Sequence, residues 1–119
     1  MDDLQRLTIE SDCIRLMNQF SWCVDAMDYD GVVVLFTPDC TFGRADVYYQ
    51  GHEGLRQSLA ARAPDRITRH VVSNAVVDVV DADNARGKAY CLVFGHRGAL
   101  NAAGEAALGV PDSLILYTG

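Results

Sequence analysis

Few side chains in this sequence can move a proton near neutral pH. There are three histidines, His52, His70 and His96, and an imidazole's ordinary pKa of about 6.5 suits it to general acid–base work. His70 lies in a Val-rich segment and shares strand parity with Val72, Asn74 and Val76, so it joins a mostly apolar face. Asp25 falls near the end of the first apolar-periodic segment, on or beside its apolar side. A carboxylate beside an imidazole orients the ring, and the neutral ring can then take a proton from a substrate carbon. Burial favours the neutral ring and the carboxylate favours imidazolium, so both protonation states stay open at this point. A buried Asp–His hydrogen bond also serves simply to satisfy two polar groups.

Around such a pair, Trp22, Phe42, Tyr48, Tyr49 and Tyr90 are either core or pocket lining. A Tyr hydroxyl can polarise a carbonyl or hold a water, but strand alternation lets only one of Tyr48 and Tyr49 point inward. Asn74, four residues beyond His70 on the same expected face, is a candidate hydrogen-bond donor to a ligand. His52 sits at a helix start beside Gly51 and reads as a surface residue. His96 ends a strand next to a loop, where it can face the mouth of a pocket. The histidines lack ligand-like spacing and no metal is expected. No G-x-G-x-x-G or phosphate loop is present, so no cofactor is expected either. The four cysteines, Cys13, Cys23, Cys40 and Cys91, form no C-x-x-C pair and read as small buried hydrophobes.

These residues must be held by a chain of 119 residues, the length of one domain. Net charge is −6 with the ten basic residues scattered along the sequence, which argues against a nucleic-acid partner. No stretch reaches the roughly 18 uninterrupted apolar residues of a membrane span. The start, Met1-Asp2-Asp3-Leu4, has no apolar run and cleavage site, so a cytoplasmic location is expected.

Leu4, Leu7, Ile14, Met17, Phe20 and Val24 make one apolar stripe, and the spacing predicts a helix over residues 4–27 or one broken near Ser11. Asp28-Tyr29-Asp30-Gly31 is a turn-and-cap cluster. The following Val32-Val33-Val34-Leu35-Phe36 suits either a buried strand or a short helix capped by Asp30. Short strands are expected at Cys40–Gly43 and Val47–Gln50, then a helix from Gly51 through Leu55, Leu59 and Ala63, stopped by Pro64-Asp65. Residues 68–80 and 85–96 read as long strands joined by a turn at Asp81-Ala82-Asp83-Asn84. Residues 97–111 read as a long loop placed to act as a lid, and 112–118 as a last strand. Helices first, then hairpin-linked strands, is an α+β order.

Four segments together resemble the SnoaL-like family of the nuclear transport factor 2-like superfamily. They are Cys23-Val24-Asp25-Ala26-Met27-Asp28, Val34-Leu35-Phe36-Thr37-Pro38-Asp39-Cys40-Thr41-Phe42, Gly51-His52-Glu53-Gly54-Leu55 and Arg69-His70-Val71-Val72-Ser73-Asn74. The resemblance favours the short helix at Val32–Phe36. It implies a cone-shaped α+β barrel in which a curved antiparallel sheet wraps around N-terminal helices, leaving a central pocket. Relatives include polyketide cyclases, scytalone dehydratase, a hexachlorocyclohexane dehydrochlorinase, ring-hydroxylating dioxygenase small subunits and members with no chemistry, so fold alone names no reaction. Dehydratase and dehydrochlorinase relatives use an Asp–His pair, which the resemblance places on Asp25 and His70. Trp22, Phe42, Tyr48, Asn74 and Tyr90 would then contact a small apolar or aromatic molecule. A homodimer through the outer sheet face is the family-based expectation. Such domains usually add one more long strand after the equivalent of Leu114–Tyr117, and a partner subunit would cover the open edge. Two functions follow as expectations: a cofactor-free lyase or isomerase, or a non-catalytic binding or dimerisation module.

Overall fold

A computed structural model describes residues 1–106 and the backbone of 113–118. Helix α1 (Asp3–Asp25) is continuous, with no break at Ser11. Its start is fixed by a reciprocal pair of bonds. The Asp2 carboxylate accepts the Gln5 N–H at 2.7 Å, and the Gln5 side chain accepts the Asp2 N–H at 3.1 Å. Its end is fixed by Met27, whose φ of 56° reverses the chain. The Asp28 N–H then reaches the Cys23 carbonyl at 2.8 Å and the Met27 N–H reaches that of Val24 at 3.0 Å, which closes the last turn. This closure leaves Asp25 as the final helical residue.

The expected apolar stripe divides in two. Val24 is buried, with Phe20 packed against the core, whereas Leu4 and Leu7 stand exposed. Periodicity defines a face of a helix, and what covers that face depends on the rest of the chain.

The Val-rich run after α1 begins in a helix, α2 (Tyr29–Val33). Its cap is Asp28 rather than Asp30, because the Asp28 carboxylate reaches the Gly31 N–H at 2.9 Å. A Cβ on Gly31 would stand 2.4 Å from that carboxylate, so a larger residue there would push the Asp28 cap aside. Asp30 instead pairs with Arg56 at 2.6 Å on the surface. Strands β1 (Thr41–Arg44) and β2 (Val47–Gln50) form an antiparallel hairpin. Helix α3 (Gly51–Ala60) follows directly and stops short of the expected Ala63.

Val24, Val32, Val33, Leu55 and Leu59 form a buried core joining the three helices. Phe20, Phe36 and Phe42 pack against it with ring centroids 5.9–6.1 Å apart.

Strands β3 (Arg66–Val79), β4 (Ala85–Arg97) and β5 (Ser113–Thr118) form an antiparallel sheet in that order, with α1 packed on β3. Along β4, Ala89, Cys91 and Val93 are buried at a spacing of two. They lie on the face that holds Val72 and His70, paired with Cys91 and Val93 respectively.

Register slips after Ser73, where Ser73 pairs with Tyr90 but Val76 pairs with Lys88. Asn74, at φ 56°, and Ala75 therefore oppose the single residue Ala89, a β-bulge. The extra residue reverses the alternation. Beyond the bulge Val77 and Val79 are part-buried and Val76 is exposed, contrary to the parity expected from an unbroken strand.

The β3–β4 turn is held by Asp81, which accepts the Asp83 N–H at 2.9 Å and the Asn84 amide at 2.9 Å. These bonds, the Asp83 backbone first, hold its carboxyl below the ordinary value of 3.8. A lowered carboxyl stabilises the fold above the ordinary value, and that contribution is lost as pH falls through the folded value. Acidification from neutral to below that range should therefore loosen the turn. The Asp83 amide should shift in NMR spectra and lose protection relative to its intrinsic exchange rate, and Asp81→Ala should abolish this acid dependence.

The loop after β4 runs through a turn at Asn101, whose side chain accepts the N–H groups of Ala103 at 3.0 Å and Glu105 at 2.8 Å. Residues 107–111 of the expected lid lie outside the described residues. Of the expected last strand, β5 covers Ser113–Thr118. No helix among the described residues is long and apolar enough to cross a membrane.

Candidate active site

The end of α1 meets the first half of β3 at Asp25. One carboxylate oxygen, Oδ1, lies 2.5 Å from His70 Nδ1 and accepts the Thr68 hydroxyl at 2.8 Å. The other, Oδ2, accepts the His70 backbone N–H at 2.9 Å. Asp25 and His70 side chains are each 11% exposed. An ionised carboxylate only accepts, so Nδ1 carries the hydrogen and the lone pair of a neutral ring resides on Nε2. The ring is thus fixed in one tautomer, as an orienting carboxylate requires.

A second layer holds the first. Thr68, 2% exposed, accepts from Arg62 Nη2 at 3.1 Å while donating to Asp25. Arg62 Nη1 reaches the Val24 carbonyl and the Tyr29 hydroxyl, each at 3.1 Å. One guanidinium therefore ties the last turn of α1 and the start of α2 to β3. Thr68 was legible in principle, since it lies two residues before His70 on the same strand face. Arg62 had no local signal, because it comes from the α3–β3 connection and meets Thr68 only in the folded chain.

The structure brings Asp25 and His70 together and leaves the other candidates apart from them. Phe42 belongs to the aromatic core cluster with Phe20 and Phe36. Trp22 is 78% exposed and Tyr48 72% exposed. Of the adjacent tyrosines, Tyr49 is the more covered, as alternation in β2 demands. Tyr90 stands exposed on the outer face of β4. Asn74 does not share the face of His70, because the bulge intervenes. His52 is part-buried rather than a surface residue, with Nε2 2.8 Å from the Phe36 carbonyl. Cys91 is buried, and Cys13, Cys23 and Cys40 are partly covered.

Among the described residues no group of three or more His, Cys, Asp or Glu side chains could hold a metal. Among the described residues, one surface depression is lined by Arg44, Arg62, Arg66 and Arg97 and another by Met1, Arg6 and Val79; Asp25 and His70 line neither.

N-terminal helices followed by antiparallel strands define a small α+β domain. The SnoaL-like domain family matches residues 5–110, and the chain belongs to that family. Solved structures agree in fold. A type 2 hexachlorocyclohexane dehydrochlorinase, LinA, is 17% identical, covers 99% of this chain and 95% of its own, and has a TM-score of 0.73. A Novosphingobium aromaticivorans protein provisionally named a scytalone dehydratase is 16% identical over 97% of this chain and 87% of its own, with a TM-score of 0.71. The beta subunit of the benzoate 1,2-dioxygenase from Burkholderia mallei is 18% identical over 92% and 74%, with a TM-score of 0.61. No curated protein matches the sequence significantly. At these identities the likeness is one of fold, and it spans enzymes and a subunit of a larger enzyme.

Proposed function

We propose that this chain is a cofactor-free lyase or isomerase of the dehydratase, dehydrohalogenase or cyclase type, with His70 as general base and Asp25 as its orienter. The observation that carries the reading is the contact between Asp25 and His70 Nδ1, with the carboxylate held by Thr68 and the His70 backbone. In an elimination, His70 Nε2 takes a proton from substrate carbon. The freed electron pair forms the new double bond as hydroxide or halide departs. The imidazolium so formed is stabilised by Asp25 and returns its proton to the leaving group or to solvent. The substrate is a small, largely apolar or aromatic molecule held in the central pocket of a cone-shaped barrel. A homodimer through the outer sheet face, where Val71 and Tyr90 are exposed, belongs to the same reading.

The test is a turnover screen with cyclic β-hydroxy ketones and chlorinated cyclohexanes, followed by Asp25→Asn on any substrate found. Loss of the orienting carboxylate should lower activity by about 10²–10⁴-fold, as for an Asp that orients a catalytic imidazole, with circular dichroism unchanged. Undiminished turnover in Asp25→Asn would remove Asp25 from the mechanism.

A second reading has its own support. The bonds that Asp25 accepts from Thr68 and from the His70 backbone and ring tie the end of α1 to β3. A non-catalytic binding or dimerisation module, as the likeness to dioxygenase beta subunits suggests, needs no more than that. Screening that yields no substrate, with a purified stable dimer, would favour it.

A further inference from the structure

The chain carries net charge −6, yet four of its ten basic residues line one groove. Arg44 comes from the end of β1, Arg62 from the connection between α3 and β3, Arg66 from the start of β3, and Arg97, with His96 beside it, from the end of β4. The groove has a volume of about 520 Å³. In sequence these arginines are scattered, and only the fold gathers them. We propose that this groove, which Asp25 and His70 do not line but which shares Arg62 with the layer behind them, is a binding site for the phosphate or carboxylate group of a small molecule.

Three observations support it. First, gathering four guanidinium groups in one cleft concentrates a field that evenly spread charge would lose to solvent. An acidic surface elsewhere makes this groove a preferred landing place for an anion. Second, guanidinium is the side chain whose planar fork matches carboxylate and phosphate oxygens, and it stays charged at every working pH. Third, several of the groups are positioned before any ligand arrives. Arg44 Nη1 is anchored on the Ser58 carbonyl at 3.3 Å, Arg62 is fixed by Val24, Tyr29 and Thr68, and His96 Nε2 lies 3.2 Å from the Ala99 carbonyl. Arg97 is the most loosely held member, since its partner Asp65 lies 3.4 Å away with both side chains largely exposed. An exposed pair of that kind holds its arginine weakly, so an incoming anion can displace Asp65.

The experiment is NMR titration of the full chain with inorganic phosphate and, separately, with benzoate, against sodium chloride at matched ionic strength. The amides of Gly95 and Arg97 should shift saturably with at least one oxyanion and not with chloride. Arg97→Gln and Arg44→Gln should each weaken binding about tenfold, the loss of one charge-assisted contact. Arg86→Gln, outside the groove, should leave it unchanged. Tighter phosphate assigns a phosphoryl group and tighter benzoate a carboxylate, and either upholds the site. The inference is overturned if shifts grow linearly without saturation, are reproduced by chloride, or persist equally in both groove variants. Binding is read directly, so failure here leaves the His70 reading untouched, and loss of turnover in His70 variants leaves this one untouched.

Discussion

His70→Ala is expected to lower turnover of an identified elimination or isomerisation substrate by about 10³–10⁴-fold, at the upper end of what a positioned general base contributes. The effect should fall on kcat, because the base acts on the transition state and holds little of the ground-state substrate. The fold should survive. Removing the ring leaves Asp25 with the Thr68 hydroxyl and the His70 backbone N–H. The lost side-chain bond costs about 1–3 kcal/mol, which a domain of ordinary stability tolerates. Steady-state kinetics beside a denaturation curve separates the two quantities. If kcat survives within tenfold while stability falls, His70 is a structural residue and the binding-module reading stands.

Much of the fold was legible because its signals are local. The Asp28–Gly31 and Asp81–Asn84 turns depend on residues within three positions; the equally local Asp2–Gln5 cap was not among the signals read. The strand limits followed from Val-rich runs bounded by polar turns. The Val32–Phe36 run was ambiguous, because apolar content alone does not separate a short buried helix from a strand. Its outcome was decided by Asp28, one turn before. Asn74 was misplaced for a different reason. A single extra residue in β3 moves every later side chain to the opposite face, and nothing in Ser73-Asn74-Ala75 announces a bulge beyond the tolerance of Asn for positive φ. The Asp25–His70 contact spans 45 positions in sequence, and residue types only made it eligible. Arg62 and the arginine groove were hidden for the same reason, since they exist only once β1, β3 and β4 are brought to one side.

Leu55→Ala is expected to destabilise the fold by about 2–5 kcal/mol, the range for a large aliphatic truncated in a packed core. Leu55 is 0% exposed. It sits where α3 meets the buried valines Val24, Val32 and Val33, so the cavity would open beneath all three helices at once. Collapse around it is hindered, because the Phe20–Phe36–Phe42 cluster and the Asp28 cap fix the neighbouring backbone. The cost should therefore lie above the bare transfer term for the lost methylenes. Val34→Ala, at a 76% exposed position on the same segment, should change stability by less than about 0.5 kcal/mol. Urea unfolding checks both, as a fall in midpoint with the slope unchanged. Leu55 does not touch the Asp25 carboxylate, yet Val24, the residue before it, belongs to the same cluster. Loosening this core thus loosens the last turn of α1, and with it the carboxylate that aims His70. In the folded Leu55→Ala protein, turnover should fall by less than in Asp25→Asn, because the bonds from Thr68 and the His70 backbone still hold the carboxylate in place.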